Sequence, residues 1–411
     1  MAFHRLFSLP PAGHPIPLLA IALSVSGWFK EEGDSSFFES ILGHVGAREG
    51  LFLSSGRAAL WLALQAAAEL KPERKEVVLP AYTCPAVASA VLKAGLRPVL
   101  CDINLSDYGF SPERLGEKIN PKTLAVIVVH LFGYPAEMSR VGKLCRDSGA
   151  FVIEDAAQAF GNSFSDSPAG KMGLRGDAGI YSFGRGKPIN ALHGGLLVCQ
   201  SEAIRHQTLR VFRRLRKGRE NDFSYAAKLG MYLIFSNPRL YWIPQRIPAL
   251  HLGETIFEPE IFPGRGNLLA RNLIKNLIPT FEKEIKTREK NSRWFSRNFM
   301  GSSLTTNIPS ETFAFLRYPV LLEDRQARNA ILKRLQEEGT GVSSFYPAPL
   351  NELPGLKEIL RDGGPYPNAE KLARGLITLP VHSGLTPSLR EKIIAAIGKG
   401  VGSSCGNPFS G

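Results

Sequence analysis

Cysteine is scarce in this chain of 411 residues. The five thiols, Cys84, Cys101, Cys145, Cys199 and Cys405, show neither CxxC spacing nor a paired framework. That disfavours a disulfide scaffold and a cysteine-built zinc site. We expect free thiols, a cytoplasmic protein and no metal centre. Long apolar runs are missing too. No stretch reaches the roughly 18 uninterrupted apolar residues that a membrane helix needs. "IPLLAIALSVSGWF" (Ile16 to Phe29) resembles the apolar part of a signal peptide in length. Few positive charges precede it and no small-x-small site follows, so it reads as a buried segment docked on the core. Acidic residues are the third shortage. The 37 Asp and Glu against 50 Lys and Arg leave a formal charge of +13. Such an excess points to anionic partners: nucleic acid, a phosphorylated substrate or an anionic membrane surface.

What is present is a chain 44% hydrophobic, enough for a large core. Residues 50–200 alternate strand and helix patterns. "GLFLSSG" reads as strand and turn, "RAALWLALQAAAELK" as a helix, "EVVLP" as a strand, "CPAVASAVLKAG" as a helix and "RPVLCDI" as a strand. "TLAVIVVHLFG" is a continuous apolar run of the parallel-sheet kind. "EMSRVGKLCRDSG" is a helix, and "AFVIEDAAQAFG", "DAGIYSF" and "GGLLVC" supply further strands. The expected fold is α/β, with a mostly parallel sheet wrapped by helices.

A composition shift follows. Residues 205–219 carry seven Arg or Lys, and an apolar, aromatic, proline-broken stretch comes next. We read 205–257 as an insertion whose basic run is a solvated helix face. It lacks aromatic interleaving, so no nucleic-acid partner is expected. With the aromatic stretch it allows peripheral membrane contact. Helical and strand patterns resume from 266. The expected organisation is a large α/β domain over 1–265, a smaller α+β domain over 266–400, and a disordered tail over 401–411.

Three stretches of the first half converge on one chemistry. Ser55 and Gly56 sit where a strand turns into a helix, whose free N–H groups suit a phosphate. Asp155 ends a very apolar strand, where open α/β sheets place their ligands. Lys187 stands in "YSFGRGKPINALHGG", a tight link between two buried strands, with Ser182 five residues before it and His193 six after. Pyridoxal 5′-phosphate (PLP) needs all three. Its aldehyde takes a lysine amine, its ring nitrogen a carboxylate, and its phosphate a helix N-terminus with hydroxyls.

The ordered motifs "SSGRAAL", "LPAYTCPAVASAVLKAGLRPVLCDI", "HLFGYPAEM", "VIEDAAQAFG", "GDAGIYSFGRGK", "HGGLLV" and "LPVHSGLT" resemble the DegT–StrS family of sugar aminotransferases. The resemblance implies PLP-dependent transferase fold type I, like aspartate aminotransferase. It implies a homodimer that moves an amino group from glutamate to a nucleotide-linked keto sugar. It makes Lys187 the Schiff-base lysine and proton shuttle, Asp155 the ring-nitrogen partner and Gln158 a contact to the ring hydroxyl. Ser182 and the Gly56–Arg57 turn become phosphate ligands, with Arg57 standing where the family has threonine. Cys84 takes a position where an aromatic usually stacks on the cofactor. His193, Arg265 and Asn267 are the substrate candidates. The histidine usual near "YPAPLNELPGL" is missing. A non-catalytic relative that binds PLP as a sensor or scaffold is the alternative.

Overall fold

The computed structural model describes residues 7–12, 16–28, 34–164, 166–245, 247, 255–299 and 313–402. Strands are β1 (Leu51–Leu53), β2 (Glu76–Pro80), β3 (Arg97–Cys101), β4 (Thr123–Val129), β5 (Phe151–Asp155), β6 (Ser163–Phe164), β7 (Ser167–Lys171), β8 (Ala178–Ser182), β9 (Gly195–Cys199), β10 (Tyr318–Leu321) and β11 (Leu376–Leu379). Helices are α1 (Leu18–Trp28), α2 (Asp34–Val45), α3 (Gly56–Leu70), α4 (Pro85–Lys93), α5 (Pro112–Lys118), α6 (Ser139–Ser148), α7 (Glu202–Arg214), α8 (Asp222–Phe235), α9 (Trp242–Gln245), α10 (Leu268–Phe299), α11 (Arg325–Glu337), α12 (Leu356–Leu360), α13 (Pro367–Gly375) and α14 (Pro387–Gly402).

The central sheet has the order β1-β9-β8-β5-β4-β2-β3. Strands β2, β3, β4, β5 and β8 run parallel, and β9 runs antiparallel to both its neighbours. Every residue of β4 is buried, as its unbroken apolar run requires when helices cover both faces. The alternating α/β architecture read from the sequence is thus the observed one.

The chain crosses from sheet to second part on α10, which carries Pro279 within it. Its first turns pack on α1, α2 and α8. Its last turn stacks Phe295 and Phe299 on Tyr318 of β10. There β10 pairs antiparallel with β11, and α11 packs on α13 and α14. The helix α14 runs to Gly402, two residues into the expected tail; the remainder, 403–411, lies outside the described residues. Part of the insertion, 248–254, also lies outside them.

The N-terminal segment does dock, but only one face is buried. Ala20 and Ser24 face α10, where Asn276 Nδ2 donates to Ser24 Oγ at 3.1 Å. Leu18 and Leu19 on the other face are 75% and 70% exposed. The apolar run had hidden this, because a helix with apolar residues all round carries no periodic signal. Within the basic run, α7 buries Ile204, Thr208 and Val211 while Arg213 and Arg214 stay exposed. Among the described residues no helix is long and apolar enough to cross a membrane.

Candidate active site

The carboxyl ends of the parallel strands deliver the site. Strand β1 ends into Ser54 and Ser55, and Ser55 Oγ caps α3 by accepting the Ala58 N–H at 3.1 Å. The Ser54 carbonyl accepts the N–H of Gly194, which stitches the end of the lysine loop to this turn. Close packing fixes the junction. A Cβ on Gly56 would lie 2.8 Å from Ser182 Cβ, so glycine alone lets the start of α3 meet the end of β8. Gly195 meets the Ser55 backbone in the same way.

These elements enclose a cavity of about 300 Å³. Its lining includes Ser55, Gly56, Arg57, Cys84, Asp155, Ser182, Lys187 and His193. Asp155 lies at the floor, its Oδ1 accepting the Ala157 N–H at 3.0 Å. Burial pushes its carboxyl above the usual carboxylate value, against the opposing pull of the Lys187 charge. The lysine, half-buried in its loop, is thus within electrostatic reach of the aspartate. Cys84 stands at the N-cap of α4, where Pro85 opens the helix.

Beside Asp155, Glu154 faces the other way and is structural. It is fully buried and pairs with the equally buried His130 at 2.9 Å. Its oxygens also accept the N–H groups of Gly173, Arg175 and Gly176. Burial pushes its pKa up. The hydrogen bond and charge of His130, with the Gly176 and Gly173 N–H groups, outweigh that and hold it below the ordinary carboxylate value.

Other expected residues sit at the edges. The Arg57 guanidinium pairs with Glu258, on the segment that follows the insertion. Gln158 is buried but outside the cavity lining. Its Oε1 accepts the Phe132 N–H at 3.0 Å and its Nε2 lies 3.4 Å from the Tyr346 hydroxyl. His193 lines the cavity, with Nδ1 2.7 Å from a Glu220 carboxylate oxygen, while Nε2 has no partner among the described residues. Arg265 and Asn267 are not brought into the cavity of their own chain. The Arg265 guanidinium lies over Phe212 and donates to the Arg213 carbonyl, and Asn267 caps α10 through the Ala270 N–H.

Two neighbours escaped the sequence reading. Tyr346 is buried, its carbonyl accepts the Tyr82 hydroxyl at 3.1 Å, and Cys84 and Asp155 both act on its phenol. Glu220 reaches His193 from the insertion. Tyr346 opens the stretch "YPAPLNELPGL" and Glu220 lies 27 residues after His193, but no local spacing marks either as a neighbour of the cavity.

The sequence profile of the DegT/DnrJ/EryC1/StrS aminotransferase family matches residues 19–237 and 272–398. The chain belongs to that family. A UDP-N-acetyl-3-dehydro-alpha-D-glucosamine 3-aminotransferase of Acidithiobacillus ferrooxidans is 29% identical over 359 residues, 87% of this chain and 84% of the relative. A pleiotropic regulatory protein of Geobacillus stearothermophilus is 25% identical over 358 residues, 85% of this chain and 84% of the relative. A putative sugar aminotransferase from Streptococcus pneumoniae, solved in its PMP form, has a TM-score of 0.74 at 19% identity, covering 97% of this chain and 99% of that one. This last likeness shows the shared fold. Family membership favours the catalytic reading over a purely regulatory one.

Proposed function

We propose that this family member is a PLP-dependent aminotransferase, which takes an amino group from glutamate and gives it to a nucleotide-linked keto sugar. One observation carries the reading: Lys187, Asp155 and the N-terminus of α3 line a single cavity. The donor set fits PLP. A buried carboxylate, an amine opposite it, and free N–H groups beside two serine hydroxyls match a ring nitrogen, an aldehyde and a phosphate. The glycine-only contact of Gly56 with Ser182 leaves the backbone there open to a phosphate. When bound, PLP supplies a cationic ring that accepts the electron pair of a deprotonated carbon.

The chain supplies the rest. Lys187 holds the cofactor and moves a proton on and off the reacting carbon. Asp155 keeps the ring nitrogen protonated, and the positive ring in turn repays the cost of burying the carboxylate. Gly56, Ser55 and Ser182 bind the phosphate, with Arg57 shared between it and Glu258. Gln158 orients the ring hydroxyl through the Tyr346 side of the site, and Cys84 borders the ring. His193 meets the sugar. Arg265 and Asn267 reach the site of a second subunit. We propose a large cofactor domain over 1–265, a small domain over 266–400, and a homodimer. The outward face of α8 supports a partner surface: Phe223, Ala226, Ala227, Met231 and Ile234 are all exposed.

The test is optical. Protein saturated with PLP should be coloured and should bleach toward shorter wavelength with glutamate. A panel of keto-sugar nucleotides should then restore the colour. Colour indifferent to glutamate would return the chain to the regulatory alternative.

A further inference from the structure

A second cavity, of about 540 Å³, adjoins the first. Arg185 lines both, and Gly186 places the second against the backbone next to Lys187. Tyr346 lines this cavity and also feels Asp155 and Cys84 of the first. The two are halves of one cleft.

Among the described residues, the lining of the second half contains two guanidinium groups, Arg185 and Arg317, and no carboxylate. Arg317 Nη1 donates to Ser343 Oγ at 2.9 Å, and its guanidinium carbon lies 5.3 Å from the centre of the Phe345 ring. Its Nε is shut off from water with no hydrogen-bond partner. No carboxylate among the described residues pairs with either arginine. A guanidinium removed from water without a counter-charge is costly. Buried Arg288 meets that cost by pairing with Glu284 at 3.1 Å. Arg317 has no carboxylate partner among the described residues, and it stands in the wall of a cavity beside the lysine loop. Burial also lowers its pKa.

The volume lies within the range of pockets that take small-molecule ligands. Arginine binds phosphate oxygens in a fixed, two-pronged geometry, and the Ser343 and Ser344 hydroxyls stand beside it. Tyr241, from the insertion, lies within electrostatic reach of both arginines.

Resting on the aminotransferase reading, we infer that Arg185 and Arg317 hold the diphosphate of the nucleotide-linked sugar in this cavity. The insertion contributes a wall through Tyr241.

The experiment titrates UDP, dTDP and GDP calorimetrically into the PLP-loaded protein at two salt concentrations. Parent, Arg317→Gln, Arg317→Lys and Arg185→Gln are compared, with melting curves to confirm folding. Arg317→Gln should weaken binding of the preferred diphosphate roughly tenfold or more, and Arg317→Lys should recover part of it. Arg185, being exposed, should contribute less, and its share should shrink as salt rises. In parallel, glutamate alone is titrated against the colour. The loss on the nucleotide arm should exceed any change on the glutamate arm by about tenfold. Equal losses on both arms, or a loss confined to glutamate, would assign the arginines to the donor's carboxylates and overturn the proposal. So would a parent that binds none of the three diphosphates, or an Arg317→Gln form that binds them undiminished. A parent that binds diphosphate through Arg317 yet ignores glutamate would instead sink the aminotransferase reading alone.

Discussion

His193 in the lysine loop and Glu220 in the insertion lie 2.7 Å apart, Nδ1 to carboxylate oxygen. Lys228 adds its ammonium to the same carboxylate. The His193 hydrogen bond, opposed by burial and helped by Lys228, holds Glu220 below the ordinary carboxylate value. A carboxylate lowered on folding stabilises the fold fully above its unfolded pKa, and that share is lost as pH falls through the folded value. Glu220→Gln should therefore destabilise the protein by about 1–2 kcal/mol at neutral pH. The melting-temperature gap to the parent should close on acidification. A gap that stays constant with pH would show that the carboxylate's charge is not what holds the loop.

For Lys187, replacement by alanine should leave the fold intact and end covalent retention of PLP. Amino transfer should fall on the order of 10³-fold. Borohydride reduction followed by peptide mass analysis should find the PLP adduct on Lys187 in the parent. An adduct on another lysine in the variant removes the assignment.

Asp155→Asn separates function from stability. Turnover should drop on the order of 10²-fold or more, because an unprotonated ring withdraws electrons poorly. The PLP-free variant should melt higher than PLP-free parent at neutral pH. The folded pKa of Asp155 is raised, so the cost of its charge appears as pH rises through that value and is absent below the unfolded pKa. The advantage should thus vanish in acid. Near-normal turnover would leave Asp155 as no more than the acceptor of the Ala157 N–H.

Arg57 and Glu258 form an exposed pair of the kind worth little to stability, about 0–1 kcal/mol. Glu258→Gln should release Arg57 and tighten PLP retention, and Arg57→Ala should weaken retention in both backgrounds. PLP dissociation constants for the four forms, at low and high salt, give the coupling. Retention unchanged by Arg57→Ala would confine this arginine to its partner Glu258.

The α8 face predicts assembly. Phe223 is 83% exposed and Met231 57%. Phe223→Glu combined with Met231→Glu should turn a dimer into a monomer in sedimentation analysis, without lowering the melting temperature of the monomer. A monomeric parent that binds anionic vesicles through this face would place it on a lipid surface instead.

The sequence by itself determined the alternation of strands and helices, the mostly parallel character of the sheet and the motif residues that line the cavity. Those signals are local. A short, β-branched apolar run such as "LAVIVV" fits a strand covered on both sides, and a serine before an alanine-rich run can cap a helix. The ends of such elements then coincide in space because parallel strands all present their carboxyl ends on one edge. Tertiary structure alone decided what meets those ends from far along the chain. It gave Glu220 to His193, Glu258 to Arg57 and Tyr346 to Gln158, and left Arg317 beside Lys187's loop without a counter-charge. Whether a charge is neutralised depends on its neighbours in space, and the sequence gives no distance between residues that belong to separate elements.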